Sequence, residues 1–213
     1  MQTLRGHSTA APPASDQLSV TTRHGTIGGD LTRRAFLEQG AIATVALAMA
    51  VSYNGRLLSP AQAKAEDLPL TNLTAAEGTM LKTVGDVLLP GAGAAGIAHF
   101  VDTQLSKDDP LLILKYFDWP GSYQDFYTSG LAALDKASQS AYGTTFAQAT
   151  AAQRTALMGT FLAGTVAGWD GPPAPLFYLS VRGDAVDVVY GTVEGFQHLN
   201  IPYMPHILPV ERW

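Results

Sequence analysis

The sequence predicts an all-α fold: a single compact helical domain followed by an extended, proline-rich C-terminal arm. Along most of the chain, apolar residues recur at steps of three and four, which places them on one face of a helix. Two capping boxes, Thr74 with Glu77 and Thr150 with Gln153, indicate helix starts. The alternation of apolar and polar residues that is typical of a half-buried strand is scarce, so a helical architecture is favoured.

The first predicted helix begins at the Thr74 capping box and ends before Pro90, because proline disfavours a helical conformation in the residue before it. The glycine-rich stretch 91–96 then connects to a second, short helix. This stretch reads Gly-x-Gly-x-x-Gly, but a dinucleotide site needs a strand ahead of the glycines, and a helix precedes them here. The second helix carries the apolar residues Ile97, Phe100, Val101 and Leu105.

A third helix is expected after Asp109, which can act as its cap, with Pro110 at the first helical position. It takes in the apolar stretch 111–117. A longer helix then runs from about 123 to 141. Its inward side carries Phe126, Tyr127, Leu131 and Leu134.

Two further helices complete the predicted domain, one starting at the Thr150 box and the last running from near Ala174 to Tyr190. The apolar positions of the first are Ala156, Leu157, Phe161 and Leu162, and those of the last include Leu179, Val186, Val189 and Tyr190. Beyond Asn200, three prolines in eight residues prevent a helix. The resulting apolar arm either packs on its own domain or docks on another subunit.

A different pattern stands at the N-terminus. Arg33 and Arg34, one spacer, then Phe36 and Leu37, directly ahead of the uncharged run 40–51, resemble a twin-arginine export signal. The run has the length of a signal-peptide apolar region and is shorter than the roughly 18 residues of a membrane span. Small-x-small patterns predict cleavage after Ala63 or Ala65.

The predicted organisation is therefore a signal peptide over 1–65 and a helical domain over 66–213. The lead of 31 residues before the arginine motif is rich in Ser, Thr, Gly and Pro and is expected to be disordered. Glu38 departs from the lysine that often follows such motifs. The signal implies the twin-arginine translocase as a partner and the bacterial periplasm as the destination.

Composition excludes several classes of function. Residues 66–213 carry seven Lys and Arg against fifteen Asp and Glu, and this acidic balance argues against a nucleic-acid partner. The chain has no cysteine, so it can hold neither a c-type haem attached through Cys-x-x-Cys-His nor a cysteine-ligated iron–sulfur cluster.

Candidate catalytic residues are few. The domain has three histidines, His99, His198 and His206, in separate elements and without metal-type spacing. They are interpreted as hydrogen-bonded structural or surface residues. Asp184 and Asp187 share a helical face and lie close to Arg182, so a surface or interface charge cluster is favoured over a catalytic carboxylate pair.

Three stretches resemble the gluconate 2-dehydrogenase subunit 3 family. They are the sequence 181–192 with Glu194-Gly195-Phe196, the tail Pro202-Tyr203-Met204-Pro205-His206-Ile207, and the earlier Leu88-Leu89-Pro90-Gly91 with Phe100-Val101-Asp102. The resemblance implies a small subunit without a cofactor of its own in a membrane-associated sugar, polyol or sugar-acid dehydrogenase. FAD would sit in a large subunit similar to glucose–methanol–choline oxidoreductases, and haem c in a multihaem cytochrome subunit where one is present.

The resemblance also implies that the small subunit assists maturation of the large subunit and carries it through the twin-arginine pore. The complex would be periplasmic and attached to the inner membrane. On composition, the candidate partner contacts are Tyr190, Phe196, Pro202, Tyr203, Met204, Pro205 and His206. Two other functions stay open: a self-contained exported enzyme, such as a hydrolase using Asp184 or Asp187 with a histidine, and a periplasmic binding module.

Overall fold

A computed structural model describes residues 47–201 and two short paired segments nearer the N-terminus. Those segments, β1 (Thr21–Thr22) and β2 (Gly25–Thr26), pair antiparallel, with Thr21 opposite Thr26. They belong to an N-terminal unit that is separate from the unit containing residues 47–201. The rest of the lead lies outside the described residues.

The larger unit is mostly helical, which confirms the all-α prediction. Among residues 47–201, the only sheet is a two-stranded hairpin. In chain order the elements are β3 (Val51–Tyr53), β4 (Arg56–Leu58), α1 (Pro60–Ala65), α2 (Ala75–Leu88), α3 (Ile97–Gln104), a 3₁₀ helix (Ile113–Phe117), α4 (Tyr123–Tyr142), α5 (Ala151–Leu162), α6 (Ala174–Tyr190) and α7 (Val193–His198).

Helices α2 and α5 each begin at a threonine whose side chain caps the first turn. The hydroxyl of Thr74 accepts the backbone N–H of Glu77 over 3.2 Å, and the Glu77 carboxylate accepts the N–H of Thr74 over 2.7 Å. Thr150 and Gln153 form the same reciprocal pair at the start of α5. Both predicted capping boxes are therefore present, and each satisfies donors that the first helical turn leaves unpaired.

Helix α6 is the centre of the domain, since it packs against α2, α3, α4 and α5. The ring of Phe177 on α6 lies 6.0 Å from Phe126 and 5.8 Å from Trp169, centroid to centroid. Gly130 on α4 permits this approach, because a Cβ at that position would lie 2.3 Å from the Phe177 ring. The aromatic residues predicted to be core, Phe126 and Tyr127, are buried.

The helix predicted after Asp109 is shorter than expected and is a 3₁₀ helix. Asp109 does not cap it: its carboxylate contacts the Lys115 ammonium over 2.7 Å. The backbone ahead of Ile113 is held extended because the N–H of Leu111 donates to the Gln104 side chain over 2.9 Å and Leu112 is fully buried. Tertiary contacts therefore override the local helix signal.

Two other expectations need correction. On α5, Ala156 and Leu162 face solvent, and the buried residues are Leu157, Met158 and Phe161, so the apolar face is rotated from the predicted one. Residues 193–198, predicted to lead into the arm, form α7, whose cap is the Thr192 hydroxyl accepting the N–H of Gly195. The arm itself, from residue 202 onward, lies outside the described residues.

The hairpin β3–β4 and helix α1 fall inside the region predicted as signal peptide, and both contact α3. Ala63 is buried and Ala65 is exposed. Within the described part of the chain, no helix has the length and apolar character needed to cross a bilayer.

Candidate functional site

Helix α6 presents an apolar stripe to solvent on the side opposite its buried residues. Leu179, Val186 and Tyr190 are 40%, 37% and 40% exposed, respectively. Together with Gly183, they are spaced by three or four residues, so they lie on one helical face. A helix that is buried on one side and apolar on the other is suited to contact a second chain.

The 3₁₀ helix crosses this stripe at Gly183. A Cβ on Gly183 would lie 2.4 Å from Cγ1 of Ile113, so only glycine admits the crossing at this distance. The crossing helix adds Tyr116 and Phe117, which are 68% and 47% exposed. The name α6 face is used below for the five side chains Tyr116, Phe117, Leu179, Val186 and Tyr190.

A buried carboxylate lies on the inner side of α6. Asp184 accepts the hydroxyl of Tyr127 at Oδ2 over 2.5 Å and the N–H of Ile113 at Oδ1 over 3.3 Å. Burial raises the pKa of Asp184 to about 7, and burial together with the neighbouring Asp184 raises the pKa of Tyr127 well above its usual value. Burial also raises the pKa of Asp187 to about 6.

This arrangement corrects the predicted charge cluster. Arg182 is exposed, but Asp184 is fully buried and does not face solvent with it. The sequence did indicate that Asp184 is buried, because Asp184 lies three residues after Val181 and four before Val188, and both valines are buried. Asp184, on α6, therefore links Tyr127 on α4 to Ile113 at the start of the 3₁₀ helix.

Asp102 on α3 is a second buried carboxylate, and sequence reasoning assigned it no role. Its oxygens accept the backbone N–H groups of Thr71, Asn72 and Leu73 over 2.9, 2.7 and 2.8 Å. The Thr71 hydroxyl donates to it as well, over 3.0 Å. Asp102 therefore fixes the turn that leads into α2.

The two histidines of the domain that the structure describes lie on different helices, His99 on α3 and His198 on α7. His99 is buried and its Nε2 lies 2.9 Å from the carbonyl oxygen of Leu68, while His198 is exposed at the end of α7. His206 lies outside the described residues. Within residues 47–201, no three His, Asp or Glu side chains are grouped in a way that could hold a metal ion.

Of the predicted partner contacts, the structure describes two. Tyr190 belongs to the α6 face, and Phe196 is half-buried in α7. The others, Pro202, Tyr203, Met204, Pro205 and His206, lie outside the described residues. The same holds for the export residues Arg33, Arg34, Phe36 and Leu37.

An open, largely apolar groove of about 290 Å³ lies between the hairpin β3–β4 and the start of α7. Its walls include Leu47, Leu57, Pro60, Val193 and Glu194.

The fold and the α6 face define a class of protein: a small helical domain with an exposed apolar surface that is suited to contact another chain. A comparison with protein-family models matches residues 75–206 to gluconate 2-dehydrogenase subunit 3. The match covers more than half of the chain, and the chain belongs to this family. It is thus a small subunit of a dehydrogenase complex. Neither the curated proteins nor the solved structures gave a match.

Proposed function

We propose that this chain is the non-catalytic small subunit of a periplasmic, FAD-dependent dehydrogenase that oxidises CH–OH groups of sugars, polyols or sugar acids. The large subunit, of the glucose–methanol–choline type, carries the flavin and the catalytic residues. The small subunit assists maturation of the large subunit and takes it through the twin-arginine translocase. The complex is attached to the inner membrane, and a multihaem cytochrome c subunit passes electrons onward where it is present.

The observation that carries this proposal is the family match over 75–206, which supports the role of a subunit in a dehydrogenase complex. The arginine pair Arg33 and Arg34 ahead of an apolar run supports the export role. Because the twin-arginine route carries folded proteins, one signal suffices for two subunits that assemble first.

The residue types support the assignment of haem c to a partner. With no cysteine, the chain cannot attach haem c through thioethers or ligate an iron–sulfur cluster through thiolates. FAD is assigned to the large subunit because the family resemblance implies a flavoprotein partner of the glucose–methanol–choline type.

The α6 face is the surface that we assign to the large subunit. Tyrosine and other large apolar side chains supply much of the binding energy of protein interfaces. Five such side chains are exposed on α6 and the 3₁₀ helix. A hydrogen bond from the N–H of Ile113 to Asp184 joins these two elements, and Gly183 leaves room for their close approach. Phe196 and the arm from Pro202 to His206 follow α6 in the chain and are proposed to extend this contact.

The two alternative functions have less support. For a hydrolase, Asp184 is a poor candidate because it is fully buried and both of its oxygens already accept hydrogen bonds. His99, also buried, is hydrogen-bonded to the Leu68 carbonyl. A binding module would use the groove between Leu57 and Val193, but its lining supplies only one charged side chain, Glu194.

Co-expression with the flavoprotein large subunit tests the proposal. We expect the two chains to purify together with bound FAD and with dye-reducing dehydrogenase activity, and we expect the small subunit alone to show none. Turnover of substrate by the small subunit alone would contradict the non-catalytic assignment. A large subunit that is fully matured and active without this chain would contradict the role in maturation.

A further inference from the structure

Residues 47–66 contribute to the core of the domain, although they lie almost wholly inside the predicted signal peptide. Met49, Val51 and Leu58 are each less than a tenth exposed, and Ala63 is 0% exposed. Met49 belongs to the same apolar cluster as Leu81, Phe100 and other central residues. A segment that is removed after export has no reason to bury such side chains against the domain that remains.

Polar contacts fix the beginning of this segment. The backbone carbonyl of Ala48 accepts the side-chain amide of Gln104 over 2.9 Å, and it also accepts the ammonium group of Lys107. Gln104 is fully buried, and its Oε1 accepts the N–H of Leu111. Removing residue 48 would thus leave two donors of the domain, one of them buried, without this acceptor.

Helix α1 lies directly against the N-terminus of α3. Gly96 has φ of 86°, and a Cβ there would lie 2.1 Å from the carbonyl oxygen of Pro60. Only glycine allows both that conformation and that distance. At the end of α1, the guanidinium of Arg56 pairs with both carboxylate oxygens of Glu66 over 2.8 Å. This pair is on the surface, so burial supplies most of the stabilisation.

Both predicted cleavage bonds, after Ala63 and after Ala65, are held by this packing. The N–H of Ala63 donates to Ser59, and that of Glu66 donates to Gln62. The carbonyl of Ala63 accepts the N–H of Leu68 over 3.1 Å. A protease acts on exposed, unpaired backbone, so α1 would have to unwind before either bond could be cut, and the buried Ala63 would also have to leave the core.

We propose that residues 47–66 are a permanent part of the folded domain and that the exported subunit is not cleaved after Ala63 or Ala65. Membrane insertion of the run 40–51 and burial of Met49 and Val51 exclude each other. The segment therefore packs, or packs again, once export is complete. The statement about the exported subunit rests on the proposed function, because it assumes export to the periplasm. The packing of residues 47–66 against the domain does not depend on that function.

The first test is the N-terminus of the subunit in the complex recovered from the periplasm, measured by intact mass and N-terminal sequencing. We expect a chain that begins at or before Leu47. A chain that begins after Leu47, at Lys64 or Glu66 in particular, would overturn the inference.

The second test compares Ala63→Glu with Ala65→Glu in the full-length chain made in the cytoplasm. Both add the same charge, but Ala63 is buried and Ala65 is exposed. We expect Ala63→Glu to lower Tm by about 5 °C or more, or to prevent folding, and Ala65→Glu to leave Tm nearly unchanged. Equal Tm values for the two variants would overturn the inference. If the chain never reaches the periplasm, the proposed export role is wrong. The comparison of the two variants still tests whether residues 47–66 pack against the domain.

Discussion

The hydroxyl of Tyr127 on α4 donates a hydrogen bond of 2.5 Å to the carboxyl group of Asp184 on α6, and both side chains are fully buried. The other oxygen of Asp184 accepts the N–H of Ile113, the first residue of the 3₁₀ helix. One carboxyl group thus joins three elements beneath the α6 face. Because it is buried, its protonation is linked to the stability of the fold.

Stability should decrease as the pH rises through the weakly acidic range. The pKa of Asp184 is about 7 in the folded state against 3.8 for the ordinary carboxyl group. Between these values the folded state binds more protons than the unfolded state, so the free energy of unfolding falls from about pH 4 to about pH 7. Asp187 acts in the same direction up to about pH 6. Urea unfolding at several pH values should show a loss of about 4 kcal/mol from Asp184, with a smaller addition from the partly exposed Asp187.

The matched variant is Asp184→Asn, since an amide can accept the N–H of Ile113 and donate to the oxygen of Tyr127 without titrating. We expect its free energy of unfolding to vary less with pH than that of the wild type. An unchanged pH dependence in Asp184→Asn would show that another group is responsible.

Loss of the Asp102 charge should destabilise the domain. An asparagine there has a single acceptor oxygen for the three backbone N–H groups that the carboxylate now accepts. We expect Asp102→Asn to reduce the free energy of unfolding by about 2–3 kcal/mol. Asp108→Asn is the control, because Asp108 is exposed. Similar urea midpoints for the two variants would contradict an anchoring role for Asp102.

Two glycine-to-alanine changes within helices should act in opposite directions. Gly130→Ala places a methyl group 2.3 Å from the Phe177 ring and should cost about 1–3 kcal/mol through overpacking. The methyl group added by Gly159→Ala has no atom within 4 Å, so the higher helix propensity of alanine should stabilise α5 by about 0.5–1 kcal/mol. Thermal unfolding measures both. A stabilising Gly130→Ala would mean that α4 and α6 pack less closely than the structure shows.

The α6 face should be needed for assembly and not for folding. Val186→Asp places a charge among Leu179 and Tyr190 on the exposed side of α6, so it should weaken co-purification with the large subunit by at least about tenfold. Its Tm should stay close to that of the wild type. Leu162→Asp, at an exposed apolar residue on α5, is the control. Undiminished co-purification of Val186→Asp would exclude this surface as the docking site.

Local signals made much of this fold predictable. The caps at Thr74 and Thr150 and the proline at position 90 act within a few residues of the helix ends, so the bounds of α2 and the start of α5 could be inferred directly. The long helices α4 and α6 were predicted to within a residue or two, since their apolar periodicity extends over several turns.

What could not be predicted depends on contacts between distant residues. Ala48 and Gln104 are 56 positions apart, and Tyr127 and Asp184 are 57 apart. Nothing near Ala63 in the chain distinguishes a cleavage pattern from a small residue that is buried in the domain. The buried role of Asp184 was missed because Arg182 nearby suggested a surface pair, whereas its actual partner, Tyr127, lies on another helix.

The proposed role as an export escort is tested most directly by replacing both motif arginines with lysine. Arg33→Lys with Arg34→Lys keeps the charge but removes the guanidinium geometry that a receptor reads. Arg5→Lys with Arg23→Lys is the matched control, since these arginines lie in the same lead outside the motif. Each is co-expressed with the large subunit, and flavin-dependent dye reduction is measured in the periplasmic and cytoplasmic fractions. We predict that periplasmic activity is lost only in the motif variant, with the large subunit left in the cytoplasm. Periplasmic activity that persists in the motif variant would contradict the escort role.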